Sequence, residues 1–400
     1  MKLANAHLSY CSNIHPGESW QQILNNLNTY TTKIRKKITT SSFGLGLRLS
    51  NEASKELLMD DNLYKFKTWL DSEKLYVFTI NGFPYGAFHH KVIKDQVHHP
   101  DWSTKERFNY TKRLIKIMAE LLPENTSGSI STSPITYKYW HKTAKDISSI
   151  TQISTQSLIE IVCYLIEIKE RTGKNIHIDI EPEPDGLLES SIECIHFFES
   201  SLIPYGVPLI SKTFNLTDNE SEKRIKNHIQ ICMDICHFAV GYESPTTVIQ
   251  QFKEYGIKIG KLQISAALSS GQLTKENKDI ITSELSAFDE PIYLHQSVIK
   301  DQSGSLTQYK DLGDALNGIN SSSSEIRTHY HVPVFTDTYQ HLCSTQSEIK
   351  ETLAIWKKTP FTDHLEIETY TWSILPKKLQ LDQIDTIVRE INWVKQELIS

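Results

Sequence analysis

The stretch HIDIEPEPDG, residues 177–186, decides how this chain is read, because its alternation carries two messages. Ile176, Ile178 and Ile180 share one parity and His177, Asp179 and Glu181 the other, so a strand here has an apolar face and a polar one. A strand whose polar face runs out into carboxylates delivers that end to a wet, functional rim. A parallel barrel accommodates this: one parity faces the axis, and the C-terminal strand ends converge on a single mouth.

The flanking sequence has the same architecture. Short β-rich runs at 6–12, 43–50, 74–80, 128–133, 176–181, 229–235, 259–265 and 365–371 alternate with helical spacings at 18–36, 51–72, 104–122, 154–172, 187–202, 218–228, 245–256 and 346–357. A last stretch, LDQIDTIVREINWVKQEL (381–398), carries Ile384, Ile387, Ile391 and Val394 on one stripe and closes the ring. This alternation predicts an α/β fold, a single (β/α)₈ TIM barrel over residues 1–400. About a hundred residues separate the seventh and eighth strands, where a regular unit needs about 30. Residues 266–335 are therefore expected to form an inserted loop region over the C-terminal face, with extended segments at 290–300 and 325–335 around a Ser-rich tip at 319–327. It lacks the apolar periodicity of a second domain.

Composition narrows the function. A hydrophobic fraction of 39% with 22% charged residues describes an ordinary globular protein, and the formal charge of −6 offers no footprint for a nucleic-acid backbone. The start, MKLANAHLSYCSN, has no apolar core of a leader, and no later run approaches 18 apolar residues. The expectation is a soluble, cytoplasmic protein. Six cysteines without a CxxC pair suggest neither a disulfide framework nor a zinc knuckle.

Candidate site residues collect at strand ends. Glu181 ends the fifth strand, Asp234 the sixth with His237 three residues on, and Glu366 and Glu368 share the inward parity of the eighth. Three carboxylates aimed at one point repel unless a cation or shared protons compensate. A divalent metal is thus expected, and mixed carboxylate and imidazole ligands suit Mn²⁺, Zn²⁺ or Fe²⁺ better than Ca²⁺, with Mg²⁺ also open. Asp179 and Glu366 lie deeper, as supports for the ligands. In THYHVPVF (328–335), His329 and His331 stand at i, i+2; His331 is the expected ligand and His329 a neighbour on the substrate side. Further substrate contacts are expected from His15 past the first strand, Asn81 in TINGFPYG (79–86), His89 or His90 in the loop FHHKVIKDQVHHPDW (88–102), and His295. No GxGxxG, GxxxxGK[ST], GxSxG or HExxH motif occurs.

Glu181, Asp234 with His237, and Glu368 resemble the signature of the xylose isomerase-like TIM barrel superfamily, which includes sugar isomerases, epimerases and endonuclease IV. Within it the chain is similar to the EboE proteins, described as metabolite traffic proteins, through HLSYCSNIHPGESW, FGLGLRLS, YVFTINGFPYGAFH, GSISTSP, IEPEPDG, MDICHFAV, KLQISAAL, HYHVPVF and IETYTWSILP. The resemblance implies a metal held by these strand ends. There is one departure: relatives usually carry a His or Asp on strand seven, where KLQISAAL presents Gln263. Either its amide fills that position or His331 reaches in from the insertion.

The leading expectation is a metal-dependent protein acting on a small sugar, polyol or sugar-like metabolite by isomerase- or epimerase-like proton transfer. Glu181 and Glu368 would serve as ligands and bases, Asp234 and His331 as ligands, and His237 would orient the substrate. The alternative is a non-catalytic barrel that binds a metabolite and hands it to a membrane transport partner. An endonuclease IV-like phosphodiesterase is disfavoured by the acidic charge and by STSPITY (131–137), which has no histidine at the end of strand four.

Overall fold

The computed structural model describes residues 1–3, 6–86, 92–373, 375, 377, 380 and 382–399. Its strands, in chain order, are β1 His7–Tyr10, β2 Phe43–Arg48, β3 Leu75–Asn81, β4 Gly128–Thr132, β5 Ile176–Ile180, β6 Ile229–Asp234, β7 Ile259–Ile264, β8 Ala266–Ser269, β9 Ser297–Asp301, β10 Leu306–Tyr309, β11 Ser323–Val332, β12 Thr338–Tyr339, β13 Leu342–Ser344 and β14 His364–Ile367. Eight of them form one parallel sheet in the order β1-β14-β7-β6-β5-β4-β3-β2, which is the (β/α)₈ barrel.

The ring closes between its two end strands by a side chain. One parallel bridge joins Cys11 to Gly46, and beside it the Ser9 hydroxyl donates to Gly44 O at 2.7 Å and accepts from Gly46 N at 3.0 Å. FGLGLR alternates for a physical reason. Phe43, Leu45 and Leu47 are fully buried, whereas a Cβ on Gly46 would lie 1.8 Å from Glu366 Oε1 and 2.6 Å from Tyr10 O. Glycine there makes room for a carboxylate inside the barrel.

The outward face is aliphatic and the inward face polar. Ile130, Ile178, Ile180, Ile231, Leu262, Ile264 and Leu365 are buried under the helices, while Ser9, Ser129, Asp179, Lys261 and Glu366 are equally buried inside. Parity is preserved by two bulges. Leu45 pairs with Val77 and Gly46 with Thr79, so Phe78 is extra; Ile231 pairs with Ile259 and Cys232 with Lys261, so Gly260 is extra. The second bulge places Lys261 and Gln263 in the lumen.

Helices follow their caps. Ala144–Thr172 begins at a Thr143/Asp146 capping box and ends at Gly173, whose φ of 72° is left-handed. It starts ten residues before the stretch expected at 154–172, because its first turns are polar and exposed and carry no apolar stripe. No helix among the described residues is long and apolar enough to cross a membrane.

Where a loop region is expected over 266–335, the chain builds a second, six-stranded sheet in the order β10-β9-β11-β8-β13-β12, running on to Ser344. Its pairings are antiparallel. Leu268, Ile326, Tyr330 and Val332 join the same continuous apolar core as the barrel. Short strands with β11 bulged between Thr328 and His331 leave little alternation to read in sequence.

Gly46→Ala should cost about 1–3 kcal/mol or more, since backbone and a paired carboxylate must both shift. Urea unfolding would report this as a lower midpoint at unchanged slope, and an unchanged midpoint would contradict the packing described.

Candidate metal centre

Three strand ends bring carboxylates together. Glu181 and Glu368 each follow their strand by one residue and still continue its ladder, Glu181 N donating to Thr132 O at 2.9 Å and Glu368 N to Ile264 O at 3.1 Å. Asp234 ends β6 and caps the helical turn Ile235–Val240, its carboxylate accepting from His237 N at 3.3 Å. That cap explains the Asp-x-x-His spacing: one turn returns His237 to the side of the acid that starts it. Oxygens of Glu181, Asp234 and Glu368 lie within 4.8 Å of one another, and all three residues are buried.

At their centre is the Gln263 side chain. Its Nε2 donates to Glu181 Oε1 at 2.9 Å, Asp234 Oδ2 at 3.0 Å and Glu368 Oε2 at 2.6 Å, while Oε1 accepts from the Cys232 thiol at 3.1 Å. An amide has two hydrogens for three acceptors, so it satisfies them only in part. A half-turn of the same amide would present an oxygen to the same point.

The three acids differ in surroundings. Burial and then the charge of Asp234 push the Glu181 carboxyl well above its ordinary range, and burial followed by Glu181 and Asp234 does the same to Glu368. Burial also opposes ionisation of Asp234, but His237, His331 and hydrogen bonds from Ser265 and Gln263 hold its pKa below the ordinary value. Burial, more than the neighbouring His237, lowers His331 to about 4. Glu368 Oε1 also accepts from Asn13 Nδ2 at 2.7 Å and Asn81 Nδ2 at 3.0 Å. Glu181 Oε2 is buried without a hydrogen-bond partner.

The pocket over this cluster holds about 590 Å³ counting its open mouth. Glu181, Glu183, Glu368, Asn81, His237 and His329 give it polar walls, and Phe83, Ile93, Val97, Tyr293 and Tyr370 apolar ones. Below it, Lys261 pairs with Glu366, and Asp179 accepts from Ser129 Oγ at 2.5 Å while His177 Nδ1 lies 2.6 Å from it. Asp179 and Glu366 thus lie beneath the cluster.

The structure brings together Glu181, Asp234, His237, Gln263, His331 and Glu368, with Asn81 and His329 at the pocket. Two expected contacts lie elsewhere. His15 stacks on Tyr30 at 4.4 Å between ring centroids and meets Tyr10 OH at 3.1 Å, turned away because the turn at Ser12–Ile14 sends Asn13 inward instead. His295 is held by Glu290 at 2.8 Å and by His329 O at 3.1 Å, so it braces the pocket strand, while its neighbours Leu294 and Gln296 line the pocket. His89 and His90 lie outside the described residues. Glu183 and His98 line the pocket without having been assigned a role; the repeated E-P-E-P alternation of 181–184 was a signal for the first, whereas nothing distinguishes His98 from the other paired histidines of its loop.

Neither a protein-family model nor a curated protein matches the sequence. Among solved structures, the chain is similar to a xylose isomerase-like TIM barrel protein from Mycobacterium smegmatis in complex with magnesium, at 9% identity and a TM-score of 0.51, covering 100% of this chain and 98% of that one. It is also similar to a 3-keto-D-glucoside 4-epimerase from E. coli, at 10% identity and a TM-score of 0.47 over 98% of this chain and 99% of that one. A third is the IolI protein with a bound zinc atom, at 11% identity and a TM-score of 0.46 over 98% of each chain. The likeness to the xylose isomerase-like TIM barrel protein, at 9% identity, is one of fold.

The last helix clamps the site from outside. Glu390, on helix Gln383–Ile399, accepts from Thr369 Oγ1 at 2.8 Å and Val334 N at 3.2 Å, next to Glu368 and close after His331. Burial raises its pKa to about 7. The folded state therefore holds this proton more tightly than the unfolded chain, a stabilisation fully present below about pH 4.5 and lost as pH rises through about 7. Glu390→Gln imitates the protonated form, so the variant should gain urea midpoint relative to wild type between about pH 5 and about pH 8. A constant difference across that window would refute the buried neutral acid.

Proposed function

We propose that the protein is a divalent-metal-dependent enzyme that moves a proton between carbon and oxygen positions of a small sugar, polyol or sugar-like metabolite, in the manner of an isomerase or epimerase. The observation that carries this reading is the convergence of Glu181, Asp234 and Glu368 around one point, with Glu181 Oε2 buried and unpartnered. These residues suit a cation, with the Gln263 amide oxygen or His331 completing the set. A divalent ion held there would polarise adjacent substrate oxygens and acidify the neighbouring C–H.

The chain's own groups divide the remaining work. Glu368 is committed to amide donors on both oxygens, whereas Glu181 keeps one oxygen free and is the better proton acceptor. Glu183 faces the same pocket, and burial, with the charge of Asp234, raises its pKa well above the ordinary range. It is suited to return a proton. The aromatic wall of Phe83, Tyr293 and Tyr370 limits water and packs against a sugar-sized ring.

The neutral Gln263 favours a second reading. An amide binds a cation more weakly than a charged ligand would, and with the resemblance to EboE proteins this supports a barrel that holds a metabolite and passes it to a membrane transport partner. Incubation with Mg²⁺ or Mn²⁺ in deuterated water, across a panel of aldoses, ketoses and cyclitols, separates the two. The enzyme reading expects carbon-bound deuterium in at least one compound, and a loss of about 10²-fold or more in Glu181→Gln. Saturable binding without exchange anywhere on the panel would instead assign the handover role.

A further inference from the structure

Gln263 stands where the three carboxylates converge, yet it turns toward them the end of its amide that a cation repels. Carboxylate oxygens accept from Nε2 at 2.9 Å, 3.0 Å and 2.6 Å, so the acids themselves set the orientation, with the amide hydrogens on the cluster and the oxygen facing away. The partial positive charge of the NH₂ group thus sits among the carboxylates.

The other end of the amide rests on Cys232. Its Sγ lies 3.1 Å from Gln263 Oε1, and since an amide oxygen only accepts, the sulfur carries the proton. Register explains the contact. The bulge at Gly260 pairs Cys232 with Lys261 and Asp234 with Gln263, so the thiol points into the lumen one inward position below the acid that ends β6. Both residues are fully buried, and no solvent competes for either end of the amide.

A thiol accepts as well as donates, and does both weakly. It can hold Oε1, as it does here, or Nε2 after a half-turn about the last side-chain bond, and it locks neither end in place. Turned toward ionised acids, the amide oxygen is an acceptor among acceptors; that orientation becomes favourable only with positive charge between them.

We infer that Gln263 is a built-in substitute for the cation, and that Cys232 is the positioning residue that gives its amide two resting orientations. In one, seen here, NH₂ lies on the carboxylates and the thiol donates to Oε1. In the other, with a cation among the acids, the oxygen faces the ion and Nε2 lies on the sulfur. The inference rests on the cation site of the proposed function and adds to it a two-position latch, which a charged ligand on β7 could not form. Cation uptake must then displace the amide, and the barrel mouth keeps partial compensation of its charge without metal.

Infrared absorption by the S–H stretch, which lies clear of other protein bands, reads the thiol directly. The full-length protein is stripped with chelator and titrated with Mg²⁺ or Mn²⁺, with equilibrium dialysis to count the bound ion. Subtracting the spectra of Cys232→Ala and of Cys232→Ser, which keeps a donor and acceptor in place, isolates one band among six cysteines. In metal-free wild type that band should lie at the low frequency of a hydrogen-bonded thiol, and saturation at about one equivalent should raise it as the acceptor turns away. Gln263→Glu offers an oxygen in either orientation, so its thiol band should stay in place on metal binding. This variant should also bind Mn²⁺ about 10-fold or more tightly and, when stripped, show a lower urea midpoint than stripped wild type. A Cys232 band that does not move while wild type binds its ion would overturn the latch and leave the cation site standing. Gln263→Glu matching wild type in both Mn²⁺ affinity and metal-free midpoint would overturn the substitute role of the amide. Absence of Mg²⁺ and Mn²⁺ binding in wild type would overturn the latch together with the cation site.

Discussion

The structure depends on how a barrel mouth tolerates buried negative charge. Two like charges within 4.8 Å of one another in a surrounding of effective dielectric about 20 repel by about 3 kcal/mol or more. Three carboxylates in mutual contact would then forfeit about 10 kcal/mol if all were ionised, which is on the scale of a domain's whole stability. Protons meet part of this demand, as the raised pKa values of Glu181 and Glu368 indicate. The Gln263 amide supplies partial positive charge at the centre. A dication would meet the demand outright.

The rest of the lumen is arranged to support that mouth. Lys261 is the buried cation beneath it, paired with Glu366, and Gly46 leaves the volume that Glu366 occupies. The bulge at Gly260 is what turns Lys261 and Gln263 inward together. Removing either partner of a buried pair strands the other without solvent. The polar interior is therefore a chain of dependent contacts, from Ser129 and Asp179 low in the barrel to Asn13 and Asn81 on Glu368.

Much of this was legible in the sequence, for identifiable reasons. Strand alternation at 176–181 and 365–368 placed Asp179, Glu181, Glu366 and Glu368 inside, since period two leaves no other arrangement once the isoleucines and leucines are buried outside. Asp234 was read from its place at the end of the sixth strand, with His237 three residues on. Bulges were not legible, because one extra residue leaves no mark on composition; Lys261, a lone lysine in IGKLQI, was nevertheless a readable sign of an inward ion pair. His15 and Asn13 could not be separated without knowing which way a short turn runs. The inserted sheet was hidden by strands of two to five residues around the ten-residue β11.

The central claim is that Glu181, Asp234 and Glu368 surround a cation. Crystals soaked in Mn²⁺ or Zn²⁺ and measured across the absorption edge of the metal test it most directly. The account predicts an anomalous peak about 2.0–2.2 Å from an oxygen of each of the three carboxylates, with the Gln263 amide turned so that its oxygen faces the ion. No peak at that position, with Gln263 Nε2 still donating to all three acids, would contradict it.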